Sequence, residues 1–160
     1  MFTSLNNRFE MFIEKLAKKP LIFLVSFLII LDLFISIVFS FWLFPNHNEG
    51  PKFDSKIEAF ILVVIFSPVI ETYLFQKTII GSIVKKYPSS QLNACLVSSI
   101  IFGILHYYSP EYILKTFISG FLYGTLYLVS LQKIMQPFLP VVIAHSVFNL
   151  IGFCVDYFAK

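Results

Sequence analysis

The chain has 160 residues, of which 58% are hydrophobic and only 13% charged, with 20 Phe and a net charge of +3. Water-soluble domains average about 45–50% apolar and about 25% charged residues, so the composition excludes that class and points to a membrane protein. The basic residues are scattered apart from an N-terminal cluster and Lys85-Lys86, which leaves no nucleic-acid footprint.

Residues 5–18 carry Phe9, Phe12, Ile13 and Leu16 at spacings of three and four, with Arg8, Lys15 and Lys18 among them. This pattern predicts a short amphipathic helix at the membrane interface, making residues 1–20 an interfacial segment. Residues 21–44 are apolar except for Asp32 and are long enough to span a bilayer. The run is too long for a signal peptide and lacks a cleavage site, so it is expected to be a retained, additional span. Asp32 is an intramembrane carboxylate with no motif around it, and it is expected to face a polar neighbour inside the bundle.

Residues 45–56 form a loop rich in Pro, Asn, Gly and charge, with His47 solvated. The helical core is expected over residues 57–159. Its first span, 57–84, contains Pro68, which should kink or break the helix because proline lacks the N–H and clashes with the preceding turn. Glu71 follows in the first turn after it. A carboxylate at this depth costs about 2.5–3.5 kcal/mol even on lenient insertion scales and is a functional-site candidate needing a partner.

The third span is expected over 92–107, ending in His106. The fourth, 112–131, has Gly120 and Gly124 at a spacing that lets helix backbones approach closely. The fifth, 137–159, holds His145 and Asn149, which share a helix face at a spacing of four. The fold class is therefore all-α, a polytopic membrane protein of about five transmembrane helices with an N-terminal amphipathic helix. Lys77 is expected to snorkel to an interface, and Tyr107, Tyr108 and Tyr112 to form an interfacial aromatic belt. Cys95 and Cys154 show no C-x-x-C spacing, so neither structural zinc nor a disulfide framework is suggested, and both are expected to be buried small residues.

Lys/Arg counts set orientation. Arg8, Lys15, Lys18, Lys19, Lys85, Lys86 and Lys133 fall on one side, against Lys52, Lys56, Lys160 and Lys115 on the other, which favours a cytoplasmic N-terminus. Glu71, His106 and the His145-Asn149 pair then come from three helices and are expected to converge in the bundle core. Depth is a difficulty. At about 1.5 Å per residue, His106 lies about 21 Å from the start of its span and His145 about 10 Å from the start of its own, on the same side. The third span must start deeper, tilt or shift for the two to meet.

These residues resemble the CPBP membrane proteases, which include CAAX prenyl endopeptidases and bacteriocin-processing enzymes. Their pattern is E-E-x-x-x-R, then F-x-x-x-H, then H-x-x-x-N. Here the second motif is Phe102 to His106 and the third is His145 to Asn149. The first keeps Glu71 and has Thr72 and Gln76 where the family has an acid and an arginine. The resemblance covers about residues 57–153.

It implies hydrolysis of a peptide bond in a membrane-associated, prenylated or bacteriocin-type substrate. By this resemblance Glu71 is the general base for water, His106 holds that water, and His145 and Asn149 donate hydrogen bonds to the oxyanion. It also implies a peptide or protein substrate, lipid surroundings and the bacterial inner membrane. Two His and one Glu can hold zinc with a water in the fourth position. However, Glu71 as a ligand would leave no second acid at Thr72 to serve as base, which favours the metal-free reading. Two alternatives stay open: a non-catalytic relative that binds a peptide or membrane partner, and a small ion-coupled transporter.

Overall fold

The computed structural model describes residues 2–45, 51, 53–133 and 136–158. His47, Lys52 and Lys160 lie outside the described residues. All regular structure among the described residues is helical. We number the helices α1 (Phe2–Ala17), α2 (Leu21–Leu43), α3 (Lys56–Lys86), α4 (Gln91–Leu105), α5 (Pro110–Lys133) and α6 (Phe138–Phe158).

Four of these, α2, α3, α5 and α6, are long and apolar enough to cross a membrane. The third expected span is shorter than the others: α4 has 15 residues. That is about 22 Å of helix, against a hydrocarbon core of about 30 Å. The outward faces are apolar, with Ile22, Phe23, Phe27, Ile30 and Phe34 exposed on α2 and Ile61, Ile65 and Val69 on α3. Such faces suit lipid and would be a liability in water. Polar side chains point inward instead, and Asp32, Thr72, Gln76, Ser98, Ser99, Ser119 and His145 are all buried. This arrangement is that of an integral membrane protein.

The N-terminal helix is amphipathic as expected; Phe9, Ile13 and Leu16 of its apolar stripe pack on protein, while Phe12 stays exposed. Ile13 is fully buried in the core cluster, and the Phe9 ring lies 5.8 Å from that of Phe121 on α5. Asn6 Oδ1 accepts the Leu92 N–H at 3.1 Å, satisfying one of the donors that a helix start leaves without a partner. Lys133 Nζ donates to the Ala17 carbonyl at 2.6 Å, a cation placed at a helix C-terminus. Together these contacts bind α1 to the start of α4 and the end of α5. At the opposite end of the bundle Lys56 Nζ donates to the Tyr157 carbonyl at 3.2 Å.

The tightest helix pair is α4 with α5. A Cβ on Gly124 would come within 2.7 Å of Cys95 Sγ and 2.9 Å of Ile80, and one on Gly103 within 2.9 Å of the Ile113 carbonyl. The small residues are therefore what let these backbones close. Cys95 is buried in this seam, whereas Cys154 is exposed on the outer face of α6, contrary to expectation. Its position on the turn sequence of α6 points it away from the bundle, where a thiol meets lipid as readily as a small hydrophobe does.

Helix α3 runs through Pro68 without stopping. Around the proline its turns widen, and the Ser67 N–H bonds the Leu62 carbonyl, five residues back. The Gly81 N–H likewise reaches Gln76. Wide turns of this kind are a common response to a residue that cannot join the ladder, and they concentrate at functional sites.

Candidate active site

Glu71 sits one turn beyond Pro68, on the inward stripe of α3 that also carries the buried Thr72, Phe75 and Gln76. His106 is the residue that ends α4. Its ring lies back over the preceding turn, 4.4 Å from the Phe102 ring, with Nδ1 2.7 Å from the Phe102 carbonyl. A carbonyl only accepts, so this contact requires the proton on Nδ1, and in the neutral ring Nε2 keeps its lone pair, on the side of Glu71. His145 lies two turns into α6 and is buried.

The carboxylate of Glu71 joins the two rings. Its Oε1 lies 3.9 Å from His106 Nε2 and its Oε2 3.7 Å from His145 Nε2. Side-chain exposure is 21% for Glu71, 18% for His106 and 7% for His145. The depth difficulty raised by the straight-helix estimate is thus met. The His106 ring leans back over the preceding turn, which accounts for about 5 Å of the depth difference; the rest comes from the relative placement of α4 and α6, and Glu71 reaches between the rings from a third helix. Phe102 fills the space behind them, with its ring 6.2 Å from His145 and 5.0 Å from Phe75.

Asn149 follows His145 by one turn, and its Nδ2 donates to the Val63 carbonyl on α3 at 2.8 Å. The wide turns give this bond its reason. With the Ser67 N–H on Leu62, the next amide in the series would serve Val63, and that amide belongs to Pro68, which has no N–H. Asn149 supplies the missing donor from α6.

Three residues outside the expected site lie around it. Tyr112, expected in an aromatic belt, stacks on His106 with ring centroids 6.1 Å apart, while Tyr107 is exposed. Tyr123 stacks on His145 at 4.6 Å and 24°. Lys115, counted as a loop-side charge, turns into the bundle instead, with Nζ 3.8 Å from Asp32 Oδ1 and 4.2 Å from the centre of the Phe148 ring. Its place inside an apolar run was the available signal, and Asp32 is the opposite charge that makes the position tenable. Lys77 remains outward, over the rings of Tyr73 and Phe138.

Among the described residues no group of three or more His, Cys, Asp or Glu is arranged to hold a metal ion. The two imidazoles address different oxygens of one carboxylate.

A profile of the type II CAAX prenyl endopeptidase Rce1-like family matches residues 53–151, well over half of the chain. The match begins after α2 and takes in Glu71, His106, His145 and Asn149. Comparison with curated proteins and with solved structures returned no match. The chain therefore belongs to the Rce1-like family of type II CAAX prenyl endopeptidases.

Proposed function

We propose that this protein is an intramembrane endopeptidase that hydrolyses a peptide bond of a membrane-associated substrate, of the prenylated or bacteriocin-precursor kind. The observation that carries the reading is the Glu71 carboxylate between two imidazoles, each slightly beyond hydrogen-bonding distance. Gaps of this length suit a bridging water.

In the proposed reaction a water donates one hydrogen to Glu71 and the other to the lone pair of His106 Nε2. Its oxygen attacks the scissile carbonyl while Glu71 takes the proton. The oxyanion accepts hydrogen bonds from His145 and from the second N–H of Asn149, whose first N–H serves Val63. Glu71 then returns its proton to the departing amine. Oxyanion donors of this kind each contribute about 10²–10³ in rate. The enzyme would sit in the bacterial inner membrane with its N-terminus in the cytoplasm, as the Lys/Arg distribution favours.

The test is cleavage of a library of prenylated and unprenylated peptides by purified protein in lipid nanodiscs, with products identified by mass spectrometry. Turnover that is lost in Glu71→Gln supports the reading. Binding of a peptide with no cleavage by the intact protein would replace it with the non-catalytic alternative, to which the neutral Thr72 and Gln76 lend some support.

A further inference from the structure

The Asp32 carboxylate is fully buried and comes from α2, outside the residues that match the family. Three side chains of α5 meet it. The Ser119 hydroxyl donates to Oδ1 at 2.7 Å, the Tyr123 hydroxyl donates to Oδ2 at 2.9 Å, and Lys115 Nζ lies 3.8 Å from Oδ1. Residues 115, 119 and 123 are successive turns of one helix face. The last of them carries the ring that stacks on His145 at 4.6 Å.

We infer that Asp32 is a positioning residue, which holds Tyr123 by its hydroxyl and through the Tyr123 ring fixes the plane of the His145 imidazole beside Glu71. The role given to His145 rests on the proposed function, whereas the placement of its ring does not. Three observations support a tether. A buried carboxylate between two neutral donors and one cation has a single favourable orientation, since turning it would leave acceptors without donors in a dry interior. The tyrosine hydroxyl is thereby anchored at one end, and a tyrosine has only two side-chain torsions. Its ring is nearly parallel to the imidazole at close range, so a swing of either ring is blocked by the other. The additional helix thus contributes to the site without touching the reacting atoms.

Tyr123→Phe is the informative variant, because it keeps the stacked ring and cuts only the tether. Asp32→Asn removes the anchor itself. The full chain, labelled with ¹⁵N-histidine, is examined by NMR in detergent micelles, and the signals of its 3 histidines are assigned by their loss in single His→Gln variants. We expect the His145 ring signals to shift or broaden in both variants while those of His106 stay in place. In cleavage assays we expect kcat to fall by about 10- to 100-fold, as for a small misplacement of a catalytic group, with KM unchanged and the double variant no worse than Asp32→Asn.

Unmoved His145 signals in folded Tyr123→Phe would overturn the inference, even if that variant were less stable. Cleavage by Tyr123→Phe at the parent kcat would do the same and leave the proposed function intact. A parent that cuts no peptide, with His145 signals that still move, would remove the proposed function and uphold the tether.

Discussion

The Asn149 amide donates to the Val63 carbonyl across 2.8 Å, and the backbone amide that would otherwise serve that carbonyl is the one Pro68 lacks. A half-buried carbonyl is thus satisfied by a side chain from another helix, which ties α3 to α6 next to Glu71. Restoring a backbone N–H with Pro68→Ala should make that side-chain bond dispensable. Asn149→Leu should destabilise the parent by about 1–3 kcal/mol, the cost of a buried polar group left without a partner. In the Pro68→Ala background the same change should cost clearly less. Unfolding in detergent of the four proteins measures the coupling, and equal costs in both backgrounds would show that the carbonyl is served by another group.

Thr72 and Gln76 stand where the resemblance has an acid and an arginine, and both are buried, one turn apart on the inward stripe of α3. Thr72→Glu alone should bury an unpaired acid, and Gln76→Arg alone an unpaired cation. Each should destabilise by about 3–5 kcal/mol, with partial cancellation when the two are combined. Strictly additive effects in a double-mutant cycle would mean that the two positions do not face each other.

Glu71→Gln keeps the shape of the side chain and removes its capacity to accept a proton. Turnover should fall by about 10²–10⁴-fold, the usual contribution of a general base, with the helical circular dichroism and elution volume of the parent retained. Chelators should leave the parent rate unchanged. Loss of activity on chelation that zinc restores would require a metal in the mechanism.

Gly124 permits the approach of α4 and α3 to α5. Gly124→Ala would drive a methyl group onto Cys95 Sγ and Ile80 Cδ1. Overpacking of this kind costs about 1–3 kcal/mol, so the thermal midpoint in detergent should drop. At Gly152 no atom lies within 4 Å of an added Cβ, and Gly152→Ala should be neutral or slightly stabilising. Equal effects at the two sites would refute the close packing described here.

Much of the architecture is legible in the amino-acid order. Apolar runs specify the spans because a helix in lipid must be apolar over most of its length, a local requirement needing no knowledge of neighbours. Glu71, His106 and His145 stand out for a related reason: an ionisable group inside such a run is costly and calls for a partner. Which partner it finds depends on the packing of separate helices. Helical spacing alone could not tell that Asp32 faces Lys115, Ser119 and Tyr123, or that Tyr112 leaves the interfacial belt for His106. Nor could it tell that Phe9, Ile13 and Leu16 of α1 would pack on the bundle while Phe12 stays exposed, since lipid and protein interior accept the same residues. The relative placement of α3, α4 and α6, with the His106 ring leaning back over its helix, decides that the two histidines meet Glu71, and sequence spacing within one helix carries no information on that placement.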